Sequence, residues 1–393
     1  MRTSHAGLFV SLAVVFFMTS ITNAAGVKIF ERVEFPAIAG WAGDDHAAAL
    51  AAFRRSCAEI VDEGRAFQRP VKFGGNRKEW MEVCRAATDA TDATDPRRFF
   101  ETHFVALRVN DSERAEGLFT GYYEPEARGS RTPSPEFQVP IYGKPSDLIG
   151  FDEASKKALG LKYGRLVDGK PAAYFTRKEI EQGALAGRGF EIAWLADWAD
   201  AFFIHIQGSG RVRLPDGSLL RLAFAGKTGQ PYTGIGPRLV ERGVFSHGDM
   251  SMQTTRAWMA AHPREARELM WENKSFIFFR EVEVKDPSLG PPGAQQVLLT
   301  PCRSLAVDRS LWMFGTPIWL DTMVPSGPGG ASEPYRHLMI AQDTGTAIKG
   351  YVRGDVFWGA GEPAAFTAGH MKSPGRMIVL LPRDLAQRLI DSQ

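Results

Sequence analysis

Short apolar runs broken by glycine and proline are the feature that most restricts the fold of this chain. The 393 residues include 40 glycines and 24 prolines, with frequent short apolar runs between them. Because glycine and proline interrupt regular elements, these runs favour many short strands over long helices. The chain is therefore predicted to be mainly β. The predicted strands lie at residues 104–107, 117–123, 139–142, 276–282, 295–299, 317–320, 338–341 and 377–381.

Apolar residues at helical spacing mark a smaller helical part. Residues 44–91 show this spacing, with Leu50 and Phe53 near the start and Trp80 further along. Such a period is typical of a helix with one buried face. We predict a small N-terminal helical region there, and we predict the most periodic helix of the chain at residues 254–271.

The first 25 residues have the layout of a secretory signal peptide. Arg2 precedes an apolar run at residues 6–18, and small and polar residues follow that run up to Ala25. The run is shorter than the roughly 20 residues that a membrane-spanning helix needs. We therefore predict export and cleavage near Ala24 or Ala25. An uncleaved amphipathic anchor is the alternative.

Length and charge narrow the choice of architecture and partner. About 370 residues remain after removal of the signal peptide, which is more than one hydrophobic core usually holds, so two domains are expected. A net charge of +2 and a pI near 8.4 give no strong long-range attraction for nucleic acid. The chain also has no basic run of the kind that grips phosphates. Nucleic acid is therefore not a predicted partner.

Three cysteines are too few for a fold that depends on a disulfide framework. Cys57 and Cys84 lie in neighbouring helix-like segments, where they either pair or remain two buried free thiols. The sequence leaves both alternatives open. Cys302 would be the unpaired cysteine and is predicted to be buried in a strand. His205 alternates with two isoleucines, so it too is predicted in a strand, and no catalytic role is assigned to it.

Several common catalytic signatures do not occur in the sequence. Residues 226–228, Gly-Lys-Thr, are similar to the end of a phosphate-binding loop, but Arg221 stands where that loop needs glycine. A nucleophile elbow around Ser209 would need glycine at the position of Gln207. The eight histidines include no pair at ligand spacing. Nucleotide binding, serine-hydrolase chemistry and a metal site are therefore not expected, and no cofactor is predicted.

Three aspartates in the last quarter of the chain, the first of them Asp308, stand out by their surroundings. Asp343 and Asp355 lie among glycines and other small residues, which allow a ligand to approach the backbone closely. Phe357 and Trp358 supply apolar surface that could raise the pKa of a carboxyl group or stack on a sugar. Carboxylates and aromatic rings in this mixture are typical of a glycan-cleaving site.

The order of motifs along the chain resembles one known family. The motifs that carry the resemblance are residues 119–125, 203–210, 225–236, 305–310, 314–320, 341–350 and 355–359. Together they resemble the lytic murein transglycosylases of the MltA type, which end in a three-aspartate (3D) domain. The motif around Asp343 alone would indicate only the 3D domain, which other secreted cell-wall proteins share. The earlier tyrosine and glutamine motifs indicate the enzyme.

The resemblance implies a mainly β architecture of two domains with a deep groove between them. The 3D domain is expected to be a double-psi β-barrel built from residues 26–124 and 272–393, with a small N-terminal helical region. Residues 125–271 would form a second, β-barrel-like domain inserted into the first. A long groove suits an extended polysaccharide, and a sugar enclosed between two domains is shielded from water.

The resemblance also assigns roles to individual residues. The last of the three aspartates, Asp355, is expected to be the catalytic acid and base, and Asp308 and Asp343 are expected to support it. The expected substrate-binding residues are Thr120, Gly121, Tyr122, Gln207, Gly208, Ser209 and Trp358. Other roles stay open, because Asp308 and Asp343 could contact sugar directly and Tyr122 could be an ordinary strand residue. Residues 208–210 could equally be a plain turn.

The implied reaction is that of a peptidoglycan lytic exotransglycosylase, a carbon–oxygen lyase. It cleaves the β-1,4 bond between N-acetylmuramic acid and N-acetylglucosamine and leaves a 1,6-anhydromuramyl end. One carboxyl group suffices, because the C6 hydroxyl of the substrate is an intramolecular nucleophile. Two alternatives remain: a muramidase with two carboxylates, and a non-catalytic peptidoglycan-binding protein similar to the expansins. Glycan strands are the expected partner, with proteins of cell-wall synthesis as further candidates.

The sequence departs from the family pattern near the expected site. Thr346 stands where a second glycine is usual, and residues 350–355 contain one additional residue, so the loop shape is not set by the resemblance. Lys349 in this loop is interpreted as a salt-bridge partner. Familiar members are lipoproteins, but no cysteine follows the signal region here. We therefore predict a periplasmic protein of a Gram-negative bacterium, soluble or associated with the outer membrane, with no lipid anchor.

Overall fold

Strands outnumber helices in the part of the chain that the structure describes. The computed structural model describes residues 28–88, 94–111, 116–246, 249–327 and 331–393. The predicted signal peptide at residues 1–25 lies outside these ranges. The strands, in chain order, are β1 (Phe30–Val33), β2 (Phe104–Val109), β3 (Gly117–Glu124), β4 (Glu126–Ser130), β5 (Val139–Tyr142), β6 (Ile149–Gly150), β7 (Tyr163–Val167), β8 (Lys170–Ala172), β9 (Glu191–Leu195), β10 (Ser209–Arg213), β11 (Leu219–Lys227), β12 (Ile277–Val282), β13 (Ser304–Val307), β14 (Pro317–Pro325), β15 (Ser332–Asp343), β16 (Arg353–Ala360) and β17 (Lys372–Pro382).

The helices are short and lie mostly between groups of strands. They are α1 (His46–Asp62), α2 (Arg77–Thr88), α3 (Pro96–His103), α4 (Glu153–Leu159), α5 (Arg177–Glu179), α6 (Trp198–Gln207), α7 (Ile235–Glu241), α8 (Met252–Ala261), α9 (Pro263–Glu272), α10 (Glu362–His370) and α11 (Arg383–Asp391). Within the described ranges, no helix combines the length and the apolar character that crossing a bilayer requires.

The larger sheet contains eight strands in the order β1-β2-β17-β14-β15-β13-β16-β3. β17 also pairs with β3, so the last six strands of that order close into a ring. Two of the pairings, β13 with β15 and β16 with β3, are parallel, and the others are antiparallel. We call these six strands the ring. The predicted mainly β class is confirmed.

The N-terminal helices pack against the strands of the larger sheet in one shared core. Asp45 begins α1, because its side chain accepts a hydrogen bond from the backbone N–H of Ala48 at 3.0 Å. Phe53 of α1 is fully buried in the cluster that also contains the ring strands. A disulfide joins Cys57 of α1 to Cys84 of α2, which decides between the two alternatives left open by the sequence.

The second sheet has the order β12-β11-β10-β4-β9-β5. An isolated bridge between Gly143 and Phe279 links its two ends, so this sheet is also barrel-like. Helix α6 packs on it through Ala201 and Ile204. Because β12 pairs with β11, the second sheet extends to Val282, beyond the boundary predicted at residue 271. The strands β6, β7 and β8 form a small third sheet.

Three local predictions are wrong. Residues 254–271 form two helices, α8 and α9, because Pro263 lacks the N–H that a continuous helix would need. In residues 295–299 only Leu298 makes a β-type pairing, an isolated bridge to Pro292, so this segment is not a strand. Cys302 is half-buried in a turn with a φ of 58°, a conformation that strands do not use.

His205 lies in α6 and not in the predicted strand. Asp197 caps this helix by accepting hydrogen bonds from two backbone N–H groups, and Gly208 ends it at a φ of 83°. Residues 201–205 are all buried, so no polar position reveals the helical period. His205 Nδ1 accepts a hydrogen bond from Arg177 at 2.8 Å. Burial and the charge of Arg177 hold the pKa of His205 well below its usual value, so its ring is neutral.

Candidate active site

Strand β16 carries Asp355 through the ring between β13 and β3. Asp355 lies opposite Thr120 of β3 on one side and Ala306 of β13 on the other. Because side chains alternate along a strand, Arg353, Asp355 and Phe357 point to the same face of the sheet. The ring therefore presents a cation, a carboxyl group and an aromatic side chain in a row.

Asp355 is held by a chain of two hydrogen bonds. The Thr120 hydroxyl donates to Asp355 Oδ1 at 2.5 Å, and Arg353 Nη2 donates to the Thr120 hydroxyl oxygen at 2.9 Å. A guanidinium has no acceptor, so the single proton of Thr120 is directed to Asp355. Oδ1 of Asp355 is thus fixed as an acceptor, which leaves Oδ2 as the oxygen that can carry a proton.

Asp343 ends β15 and lies in the same part of the ring. Tyr122 of β3 donates its hydroxyl proton to Asp343 Oδ2 at 2.8 Å. The backbone N–H groups of Ala294 and Thr344 donate to Oδ1 at 2.9 Å and 2.8 Å. Both oxygens of Asp343 are therefore acceptors in a fixed position.

Burial raises the pKa of both half-buried carboxyl groups. At Asp355, the charge of Arg353 and the hydrogen bond from Thr120 oppose this rise without cancelling it. At Asp343, the three hydrogen bonds oppose it, while the negative charge of Asp355 adds to it. Removal of water from a carboxylate disfavours its charged form, so the site favours a protonated acid more than free solution does.

Asp308 differs from the other two aspartates because it binds a loop. Ser310 donates to its Oδ1 from the backbone at 3.0 Å and from the hydroxyl at 2.7 Å. Gly350 N–H donates to Oδ2 at 3.2 Å, and Lys349 Nζ lies 3.3 Å from Oδ1. Burial favours the neutral form of Asp308, but these hydrogen bonds and the charge of Lys349 outweigh it and lower its pKa. The predicted salt-bridge role of Lys349 is confirmed.

The two aromatic residues after Asp355 lie on opposite faces of β16. Phe357 is buried against Tyr122, with ring centroids 5.2 Å apart. The indole of Trp358 instead covers Gly121, where an added Cβ would lie 2.7 Å from the indole Cδ1. Trp358 also packs against Tyr335 and lines a cavity of about 300 Å³. The structure thus brings Phe357, and not Trp358, to the face of Asp355.

Gln207, Gly208 and Ser209 connect α6 to β10 beside the end of β3. Gln207 Oε1 accepts a hydrogen bond from the backbone N–H of Tyr123 at 3.1 Å, so the second sheet contacts the ring here. That bond leaves the side-chain nitrogen of Gln207 as its donor group. Ser209 is buried at the start of β10. In the described part of the chain, no hydrogen bond joins Gln207, Gly208 or Ser209 to Asp355. Thr120 hydrogen-bonds to Asp355, and Tyr122 hydrogen-bonds to Asp343.

Two further groups near the acid were not predicted from the sequence. Arg353 is two residues before Asp355, and the alternation of strand side chains would have placed it on the same face. Tyr232, in a motif of the second half-domain, is 41% exposed, yet burial and the charge of Asp355 raise its pKa. The charge of Asp355 thus acts on Tyr232, which no local sequence pattern indicates. Within the described residues, no group of His, Cys, Asp or Glu could hold a metal ion.

Comparison with known proteins supports the family that the motifs suggested. The MltA specific insert domain matches residues 118–280, and the 3D domain matches residues 303–381. The membrane-bound lytic murein transglycosylase A of Vibrio cholerae is 34% identical over 289 residues, which are 72% of this chain and 70% of that protein. The chain belongs to the MltA family. This membership confirms the predicted family and the predicted enzyme class.

A second curated member of the MltA family has a similar identity to this chain. The Escherichia coli K12 membrane-bound lytic murein transglycosylase A is 36% identical over 266 residues, 67% of this chain and 65% of that protein. The chain therefore matches about two thirds of the length of these curated relatives. The insert-domain match begins in β3 and ends in β12, in agreement with the second sheet, which also includes β12.

Solved MltA structures share the fold over nearly the whole chain. A membrane-bound lytic murein transglycosylase from Agrobacterium tumefaciens has a TM-score of 0.81 and 34% identity, covering 92% of this chain and 99% of that one. MltA from Neisseria gonorrhoeae has a TM-score of 0.75 at 31% identity, covering 90% and 92%. E. coli MltA with bound chitohexaose has a TM-score of 0.66 at 28% identity, covering 91% and 96%.

Proposed function

We propose that this protein is a lytic murein transglycosylase in which Asp355 is the only acid and base. It cleaves the β-1,4 bond between N-acetylmuramic acid and N-acetylglucosamine in peptidoglycan and leaves a 1,6-anhydromuramyl end. The observation that carries the proposal is the setting of Asp355. Its pKa is raised by burial, Thr120 fixes one of its oxygens, and the other oxygen is left for substrate.

The reaction needs one carboxyl group that works twice. Protonated Asp355 Oδ2 donates its proton to O4 of the departing N-acetylglucosamine as the bond from C1 to O4 breaks. The C6 hydroxyl of the muramyl residue forms the new bond to C1, and the Asp355 carboxylate accepts the O6 proton. The acid is thereby restored without water. Acid–base help of this kind contributes about 10² to 10⁴ in rate.

The other two aspartates suit supporting roles. Asp343 has both oxygens occupied by donors, and the lowered pKa of Asp308 keeps that group ionised while it binds Ser310 and Gly350. We assign Asp343 to the orientation of Tyr122 beside Asp355, and Asp308 to the shape of the loop that follows Asp343.

The groove between the ring and the second sheet is the proposed path of the glycan. The proposed contacts are Thr120, Gly121, Tyr122, Gln207, Gly208, Ser209 and Trp358. The complex of the E. coli relative with chitohexaose supports a binding site for a chain of amino sugars in this fold. A discontinuous double-psi barrel with an inserted second domain belongs to the same proposal, and the end of the insert moves from residue 271 to Val282, where β12 of the second sheet ends. A periplasmic location after signal cleavage follows from the substrate.

A muramidase with two carboxylates is the second candidate, because Asp343 is near enough to Asp355 for its pKa to respond to the charge of Asp355. Such an enzyme would add water to C1 and give hydrated ends. The full set of donors on Asp343 favours the transglycosylase instead.

Mass spectrometry of digested peptidoglycan separates these candidates. We expect muropeptides with masses about 18 Da below those of hydrolytic products, because no water is added. Hydrated products alone would support the muramidase. Asp355→Asn should abolish product formation and leave binding to murein sacculi intact. Asp321→Asn is the matched control, since Asp321 forms an exposed ion pair with Arg336, and it should retain full turnover.

A further inference from the structure

A lysine of the second sheet reaches across to the loop that follows Asp343. Lys227 ends β11, and its Nζ donates a hydrogen bond to the Thr346 hydroxyl oxygen at 3.2 Å. Thr346 is three residues after Asp343, so at most about 11 Å of chain separates the two residues. The ammonium group therefore lies against the loop that follows one of the two half-buried aspartates. Thr346 replaces a glycine of the usual motif, so this contact is a property of this chain.

Positive side chains come close to Lys227 from separate segments: Lys349 follows Thr346 by three residues, and Tyr163, next to Lys162, has its carbonyl oxygen 2.8 Å from a Cβ added to Gly229. The charged groups that act on it are Arg309, Lys162 and Lys349. Lys144 is adjacent, because a Cβ added to Gly226 would lie 3.3 Å from its Cδ. We call these five cations the basic cluster: Lys144, Lys162, Lys227, Arg309 and Lys349. In the described part of the chain, the only carboxylate ion-paired with a member is Asp308, which contacts Lys349.

Four members of the basic cluster, Lys144, Lys162, Arg309 and Lys349, are exposed, and only Lys227 lies partly within the protein. Lys227 is half-buried, and burial together with the three neighbouring cations lowers its pKa. Partly buried like charges destabilise a fold unless an anion neutralises them. Lys162 and Arg309 form no ion pair within the described ranges, so the cluster retains capacity for a negatively charged ligand.

We propose that the basic cluster binds the carboxylates of the peptide stems that murein glycan carries. This inference rests on the proposed function. In intact murein the lactyl carboxyl group of muramic acid is in amide linkage to the stem, so the sugars are neutral and the peptide stems hold the negative charge of the substrate. Four of the five cations are lysines. A lysine ammonium group on its flexible stem can follow a carboxylate on a mobile peptide, whereas an arginine guanidinium favours one fixed bidentate geometry. The cluster would make the enzyme prefer glycan that still bears its stems.

The test compares one glycan with and without its stems. Soluble glycan oligomers are prepared in three forms: with intact stems, with intact stems whose carboxylates are converted to amides, and without stems. In the third form an amidase removes the stems, and the lactyl carboxylates that it exposes are then converted to amides. Binding is measured on the Asp355→Asn variant, which does not turn over. We expect the stem-bearing glycan to bind about tenfold more tightly than the other two, and we expect the preference to shrink at high salt.

Variants of the basic cluster should remove this preference. Lys227→Met is added to the Asp355→Asn variant, and the pair Lys162→Gln and Arg309→Gln is added to it separately. In each case the dissociation constants for the three glycans should come to within about twofold of one another. Lys227→Arg keeps the charge and should keep the preference. Thr346→Val removes only the hydrogen bond to Lys227 and should also keep it. If Thr346→Val reduced the preference for stem-bearing glycan as much as Lys227→Met does, the proposal would be overturned. Lys227 would then act by joining the two sheets.

The outcome is separable from that of the proposed function. If the protein formed no anhydro product but preferred the stem-bearing glycan through Lys227, the proposed reaction would fail and the binding site would stand. If it formed anhydro product and bound all three glycans equally, the basic cluster would have no such role. Equal weakening of binding to all three by Lys227→Met would also contradict the inference.

Discussion

The hydroxyl of Thr120 lies between a guanidinium and a carboxyl group, and this position decides which oxygen of Asp355 can act. Arg353 donates to the hydroxyl oxygen, so the hydroxyl proton is available only to Asp355 Oδ1. In the proposed reaction, the acid proton is therefore on Oδ2. Arg353 thus positions the acid through Thr120 without touching the reacting atoms.

Replacement of Thr120 with valine removes the donor and keeps a similar shape. The carboxylate of Asp355 loses a stabilising hydrogen bond, so its pKa rises above the already raised value. Because the first step needs the protonated acid, the alkaline limb of the profile of kcat against pH should move to higher pH. kcat should fall about tenfold as orientation is lost. Thr120→Ser should restore both, and an unchanged profile for Thr120→Val would contradict this role.

At the scale of elements, β3 could be predicted from the sequence as a short apolar run, whereas β16 is absent from the predicted strands because Gly354 and Asp355 interrupt its apolar pattern. The three aspartates could be found because their motifs are local. The contact between Thr120 and Asp355 could not, since it depends on a parallel pairing across 235 residues. Helix α6 was missed because burial on every side removes the period that identifies a helix.

Strand β3 has no room for a side chain at Gly121. An added Cβ would lie 2.7 Å from Trp358 Cδ1 and 2.9 Å from the backbone of Ala368 in α10. Gly121→Ala should therefore lower the free energy of unfolding by about 1 to 3 kcal/mol, measured by urea denaturation. Gly150→Ala in β6 is the control, because no atom lies within 4 Å of the added carbon. Equal stability of the two variants would show that Trp358 can move aside.

At the scale of the whole molecule, one buried carboxylate joins the two sheets where the chain passes between them. Glu124 ends β3 and is fully buried. Arg211 of β10 lies 2.7 Å from it and Arg221 of β11 lies 2.8 Å from it. Arg221 also donates to the backbone carbonyl of Leu289 at 2.8 Å, which ties in the segment that returns to the ring.

Glu124→Gln would leave two arginines with little solvent and no countercharge. Removal of one partner from a buried ion pair costs about 3 to 5 kcal/mol, so the free energy of unfolding at pH 7 should fall by that amount. Glu126→Gln is the matched control two residues away, because its pair with Arg213 is exposed and contributes about 0 to 1 kcal/mol. Similar losses in the two variants would show that the buried cluster does not join the sheets.

The pairing of strands in the ring also sets an order of events during synthesis of the chain. β3 pairs with β16 and β17, so a chain that emerges from its N-terminus exposes both edges of β3 long before either partner is present. Open strand edges pair readily with other chains. The strands of the second sheet all lie between residues 126 and 282 and can assemble during this interval. The nascent protein therefore has a completed half and an incomplete half for part of its synthesis, and β3 is the strand that a holding chaperone would have to protect.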